Sequence, residues 1–278
     1  MNDTKNLIFR AEEIFSIPYN TSNWDYYQFI NPNEFQWKVG ITPFSNWQFI
    51  VGAWATYFVT IISLKSIMSS TSPFSMRYIS AIHNLILCIL SAVMFGYATL
   101  DFIYRYQERG IGECFCTSDS SSAKGRLFYV TYIYYLSKFD ELLDTVILAL
   151  KKRPIIFLHW YHHAIVILMV WSWLEDSNMY ASIGMMANTL IHVFMYYYYF
   201  STSLGRKVWF KKYITTGQII QFAISFILAI PYLYFHFTKN CQLGFNAFVF
   251  SMVCNGSFLI LFIRFYRKTY SRDVGKNK

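Results

Sequence analysis

Charge is what this sequence is short of. Only 14% of its 278 residues are charged, with 15 Asp and Glu against 24 Lys and Arg. A soluble domain carries roughly a quarter charged residues. The scarcity, beside 55% hydrophobic and 21% aromatic residues, excludes an ordinary water-exposed surface and points to a membrane protein. The 27 Phe and 23 Tyr exceed what one soluble core needs. Internal repeats and low-complexity domains are absent, and residues 117–122 read only as a short loop tip. The chain also lacks a basic start followed by an apolar core. It is polar and mixed in charge through Lys38, so no cleavable signal peptide is expected. Histidine is scarce, six in all, too few for a metal site built from many imidazoles.

What is present in quantity is apolar runs of membrane-spanning length. They fall at 47–67, 78–104, 127–150, 155–174, 179–204, 213–237 and 245–266. The sequence therefore predicts an all-α, polytopic membrane protein with seven transmembrane helices. Residues 1–46 form an N-terminal segment, 47–266 the membrane domain and 267–278 a basic tail. The third run is the least apolar, since it holds Lys138, Asp140, Glu141 and Asp144. Seven spans put the termini on opposite sides. One set of loops then carries Lys65, Arg77, Lys151, Lys152, Arg153, Arg206, Lys207, Lys211, Lys212 and the tail cations, against the single acid Asp273. The other set carries more acid than base. Because basic loops stay in the cytosol, the C-terminus is cytosolic and the N-terminus lumenal. The net charge of +9 follows from that topology, and nucleic acid is not needed to explain it. Asn2 and Asn20 head glycosylation triplets on the lumenal side. Cys114, Cys116 and Cys241 fall in lumenal loops, where a disulfide is permitted. Cys88 and Cys254 lie in spans, where packing is the plain reading.

Polar groups within the spans collect toward one side. Residues 159–163 read His-Trp-Tyr-His-His, and His159, His162 and His163 share one side of a helix. His83-Asn84 comes early in span two. Lys138, Glu141 and Asp144 come late in span three, Asn188 and His192 late in span five, and Gln218 and Gln221 early in span six. With alternating direction, all of these lie in or near the cytosolic half. Polar side chains at membrane depth need partners or a water-filled cavity, so five helices delivering them to one layer predict a single buried site. Blander readings exist for single members. The glutamines can bond neighbouring helices, Lys138 and Glu141 can be a structural ion pair, and Asp144 can snorkel. His236 reads as interfacial. Tyr196 and Tyr199 share a face with His192, so either or both are candidates to point inward.

A His-x-x-His-His cluster beside carboxylates first suggests a metal, as in membrane oxygenases and desaturases. A di-iron centre of that kind needs more histidines than the chain holds, whereas a mononuclear zinc site stays arithmetically open. The other option is direct imidazole chemistry, with a histidine as nucleophile or base and neutral amides donating to a developing oxyanion. Lys151, Lys152, Arg153, Lys211 and Lys212 would then meet the phosphates of an arriving CoA carrier.

Four ordered motifs carry a resemblance. They are Lys138-x-x-Glu141-x-x-Asp144-Thr145, His159-x-x-His162-His163, Asn188-x-x-x-His192-x-x-Met195-Tyr196 and Thr215-x-x-Gln218-x-x-Gln221. Together with His83-Asn84 they resemble the ELO/ELOVL fatty-acid elongases over all seven spans. Trp160 after the first histidine is most like the branch acting on saturated and monounsaturated chains. The resemblance implies a 3-ketoacyl-CoA synthase of the endoplasmic reticulum, in which helices 2–7 form a barrel round an acyl-chain tunnel. It implies condensation of long-chain acyl-CoA with malonyl-CoA, His162 as the acyl-accepting nucleophile, and His192 assisting decarboxylation or enolate stabilisation. His159, His163, Asn188, Gln218 and Gln221 would orient or donate, and no metal or cofactor is needed. It also implies a lumenal disulfide from Cys241 to Cys116 or Cys114. The reductases and dehydratase of the cycle are implied partners, and a homo-oligomer is compatible.

Overall fold

The computed structural model describes residues 31–116, 123–239, 241 and 243–270. Asn2 and Asn20, most of the N-terminal segment and the end of the basic tail lie outside the described residues. Among those described, the fold is helical apart from one isolated bridge between Gln36 and Lys124. The helices are α1 (Trp47–Ser69), α2 (Arg77–Arg109), α3 (Ile111–Phe115), α4 (Arg126–Asp140), α5 (Leu143–Leu150), α6 (Phe157–Glu175), α7 (Ala181–Ser203), α8 (Lys211–Thr238) and α9 (Phe245–Tyr270).

Four of them, α1, α2, α8 and α9, are long and apolar enough to cross a membrane by length and composition. The imidazoles of α6 and the tyrosine run of α7 dilute those two helices. The third expected span, 127–150, is not one helix. It divides into α4 and α5, of 15 and 8 residues. At the division the Leu142 N–H donates to Phe139, Asp144 to Glu141 and Thr145 to Leu142, each three residues back. Glu141 and Leu142 keep right-handed helical dihedrals. The chain therefore tightens into a 3₁₀-type turn rather than stopping.

Helix packing closes on itself. α2 packs on α7, α7 on α8, α8 on α9, α9 on α6, α6 on α4, and α4 back on α2. α1 stands outside that order, against α5 and α6. Val166, Ile167, Val170 and Leu174 of α6 join Met185 of α7, Phe222 of α8 and Phe258 of α9 in the main core. Between helices in lipid such contacts act chiefly through close packing. At one end, residues 31–46 lie across α4 and α6. Phe35 and Trp37 are buried against Tyr132, the Trp37 indole donates to Glu175 at 3.1 Å, and the Trp171 indole donates to the Ser45 carbonyl at 2.6 Å. At this end Gly244 has φ +88°, and a Cβ there would meet the Asn178 backbone at 3.0 Å, so a larger residue at the entry to α9 would be both strained and crowded. Cys116, just after α3, is disulfide-bonded to Cys241, with 6.0 Å between their Cα atoms.

Candidate active site

The polar side chains of the spans form two linked networks. The first begins at the turn between α4 and α5. The Lys138 ammonium lies 2.6 Å from the Glu141 carboxylate, and the two side chains are 3% and 4% exposed. That ammonium also sits 3.9 Å from the Tyr134 ring centroid, a cation–π contact strengthened by the dry surroundings. Tyr134 donates to Asn188 Oδ1 at 2.7 Å and stacks on Trp173, whose indole donates to Ser251. Nδ1 of His192 stands 3.5 Å from the same Glu141 oxygen. One turn along α7, Tyr196 donates to Asp144 at 3.0 Å, and the other Asp144 oxygen is 3.0 Å from Nε2 of His83. The Lys138–Glu141 spacing thus makes a buried ion pair. Asp144 is held by two partners and does not snorkel.

The second network comes from α1 and α6. The Tyr57 hydroxyl is 2.9 Å from Thr145 Oγ1, which is 2.8 Å from Nε2 of His159. The ring of His159 meets that of His163 edge-on at 4.5 Å, and His163 meets His162 at 5.7 Å. His162 lies against Phe258 at 4.9 Å and Phe262 at 6.5 Å. Its Nδ1 is buried and has no hydrogen-bond partner among the described residues.

Other expected members sit less centrally. Asn84 donates to the Ser80 carbonyl of its own helix at 2.6 Å. Gln218 is placed against the Met195 sulfur at 3.6 Å, and Gln221 has a buried Oε1 with no partner among the described residues. Among the described residues, neither amide is hydrogen-bonded to a histidine. Tyr196 points inward and is buried, while Tyr199 is exposed. His236 is stacked on Phe245 at the far end of α8.

The expected CoA-binding cations divide. Lys211 and Lys212 are exposed at the head of α8. Lys152 and Arg153 line a cleft with Lys65 of α1. Lys151 lies beside them, where burial and then the Arg153 guanidinium draw its ammonium below the usual lysine range. Of the two candidate partners for Cys241, Cys116 forms the disulfide. Cys114 is free and buried, and burial pushes its thiol above the usual value. Among the described residues, no three His, Cys, Asp or Glu side chains converge as a metal cage would require.

Sequence reasoning gave no role to Tyr57, Thr145, Tyr134 or Trp173. Thr145 stood in a motif without an assignment. Tyr57 lay in the first apolar run, far ahead of the histidine cluster in the sequence, in a chain with 23 tyrosines, and nothing in its spacing marked it.

Comparison with known proteins sets this geometry in a family. The model of the ELO (GNS1/SUR4) family matches residues 42–278. Fatty acid elongase sre1 of Dictyostelium discoideum is 39% identical over 240 residues, covering 86% of this chain and 90% of the relative. Fatty acid elongase A of the same organism is 33% identical, covering 88% and 92%. Long chain fatty acid elongase 1 of Caenorhabditis elegans is 32% identical, covering 80% and 78%. A match of this extent, on a chain whose long helices are apolar enough to cross a membrane, makes this protein a member of the ELO (GNS1/SUR4) family.

Proposed function

We propose that this protein is a fatty acid elongase that condenses a long-chain acyl-CoA with malonyl-CoA, with His162 as a covalent acyl carrier. The observation that carries the reading is the state of the imidazoles. Among the described residues His83, His159 and His192 each face a hydrogen-bonding or charged partner, whereas His162 Nδ1 is buried without one; the other such nitrogen, His236 Nδ1, lies at the far end of α8, against Phe245 and away from the polar layer. An imidazole nitrogen left uncommitted in a dry layer is available as a nucleophile.

In the proposed sequence the His162 nitrogen attacks the thioester carbonyl. The C–S bond breaks, CoA leaves as thiolate and takes up a proton, and an acyl-imidazole remains. Malonyl-CoA then loses carbon dioxide. The electron pair of the broken C–C bond becomes an enolate, whose carbon attacks the acyl carbonyl and expels the imidazole as 3-oxoacyl-CoA forms. His192, backed by Glu141 and Lys138, donates toward the enolate oxygen. His159 and His163 hold the helix face, and Gln218, Gln221 and Asn188 are the neutral donors nearby. In this scheme no metal or cofactor takes part.

The wider reading places seven spans in the endoplasmic reticulum membrane, the N-terminus lumenal and the C-terminus cytosolic, with an acyl tunnel inside the closed packing order of α2, α4 and α6–α9. Support comes from the charge asymmetry of the loops and from a disulfide at the end opposite the basic loops, as expected in an oxidising compartment. Lys211 and Lys212, exposed at the head of α8, and Lys151 at the end of α5 are the cations suited to CoA phosphates.

Microsomes carrying the protein are expected to incorporate labelled malonyl-CoA into long acyl chains, and His162→Ala to lower that rate by on the order of a thousandfold or more, as removal of a nucleophile does elsewhere. Acyl-CoA alone is expected to release free CoA and to leave acyl mass on the His162 peptide. If CoA appears only once malonyl-CoA is added, the covalent route fails and direct condensation replaces it.

A further inference from the structure

Outside the closed helix packing, the ends of α1 and α5 leave an open cleft of about 280 Å³, lined by Lys65, Met68, Ser69, Ala149, Lys152, Arg153 and Ile155. We propose that it is a binding site for a phosphate group, carried by the headgroup of an anionic phospholipid. The inference goes beyond the acyl condensation and does not rest on it.

Three cations line the cleft, and no carboxylate does. The stretches 60–80 and 145–160 contain no Asp or Glu. The nearest acid along α5, Asp144, is already held by His83 and Tyr196. The carbonyl ends of α1 and α5 supply partial negative charge, roughly half a unit each, which leaves the cleft positive. The floor is apolar, with Met68 and Ala149 buried. Cations above an apolar floor fit a phosphate ester attached to glycerol and acyl chains better than a bare anion.

Lys152 is also held in place. Its φ is +52°, a left-handed conformation that favours glycine or asparagine. Its N–H donates to Ala149 at 3.0 Å to close α5, and its ammonium is 3.5 Å from the Ser69 carbonyl on α1. A lysine where glycine is the easy choice gains something from its charge. Basic loops on the cytosolic side follow from topology alone, but topology asks neither for a concavity nor for this backbone. Position decides between sources of phosphate. The lining comes only from α1, α5 and the chain that follows α5, with nothing from α2, α7, α8 or α9. The cleft therefore opens outside the closed packing order of α2, α4 and α6–α9, on the side of α1 and α5 where neighbouring lipid lies, and basic pockets between spans receive anionic headgroups.

The test uses the full chain in neutral detergent micelles, titrated with dioctanoyl phosphatidic acid, with dioctanoyl phosphatidylcholine and with coenzyme A. Phosphatidic acid is expected to bind at least tenfold more tightly than phosphatidylcholine. Lys152→Gly keeps the backbone conformation and removes one cation, so it folds as the parent does. At about 1 kcal/mol per basic residue near a lipid surface, it should weaken phosphatidic acid about fivefold. Lys65→Gln, Lys152→Gly and Arg153→Gln combined should weaken it on the order of a hundredfold, with a far smaller loss for coenzyme A. Loss of coenzyme A binding with the lipid affinity intact would assign the cleft to a soluble phosphate and overturn the lipid source. Parent-like affinity for both ligands in these variants would overturn the site.

Discussion

Lys138→Met isolates the energetics of the site. The Lys138 and Glu141 charged atoms are 2.6 Å apart and their side chains are almost wholly buried. Even at an effective dielectric constant of about 20, their attraction is about 6 kcal/mol. Desolvating two charges offsets much of that, so the net contribution of the pair is small. The asymmetry lies in removing one partner. In Lys138→Met, Glu141 stays buried, with only Nδ1 of His192 at 3.5 Å to answer its charge. Stranding a buried charge costs about 3–5 kcal/mol. Glu141→Leu strands Lys138 in turn, with the Tyr134 ring face as partial compensation, and should cost somewhat less. The double variant removes both charges and substitutes side chains of similar volume. It should recover most of the stability, giving a coupling energy of several kcal/mol by the double-mutant cycle, yet stay inactive because His192 has lost its anion. The assay is thermal loss of the monodisperse chromatographic peak in detergent, read beside malonyl-CoA incorporation. Additive single-variant losses, leaving the double the least stable of the three, would refute the reasoning.

Tyr57→Phe deletes one hydroxyl from the Tyr57–Thr145–His159 chain. It should cost about 1 kcal/mol of stability and lower the turnover rate several-fold with KM for acyl-CoA unchanged, as initial rates will show. Thr145→Val leaves both the Tyr57 hydroxyl and His159 Nε2 without their partner, so it should be the more damaging of the two. Cys241→Ser opens a cross-link spanning 125 residues. It should lower stability by about 2–5 kcal/mol in a melting experiment, while Cys114→Ser, at a thiol outside the disulfide, should shift the melt far less.

The helices were legible because each apolar run ends in charged or turn-forming residues. The Lys138–Glu141 pair was legible because residues three apart on a helix share a face. The choice between Cys114 and Cys116 was not, since they stand two residues apart and backbone direction decides. Cys114 lies within α3, with its thiol toward the Phe102 carbonyl. Cys116 follows the helix with φ −156°, an extended conformation that turns it out to Cys241. Tyr57 was hidden for another reason. Its partner Thr145 sits on a helix that its own packs against from outside, and no periodicity within one segment reports a contact between two.

The division of the third apolar run was the least legible feature, for no Pro or Gly stands between Phe139 and Leu150, and it bears most on the site. In a continuous α-helix, residues three apart differ by about 60° round the axis. In a 3₁₀ turn they eclipse. The tightening at Glu141 and Leu142 therefore brings Glu141 and Asp144 toward a single line. His192 and Tyr196 of α7, four residues apart, form a matching line. Glu141 faces His192 at 3.5 Å and Asp144 accepts from Tyr196 at 3.0 Å. Two largely buried carboxylates one turn apart would ordinarily be too costly to keep. Here one local change of helical pitch lets both meet partners on the same neighbouring helix. Lys138, one turn earlier, supplies the compensating charge, and His83 takes the remaining Asp144 oxygen. An apolar run bearing this much charge holds together because the turn aligns its acids with groups that satisfy them.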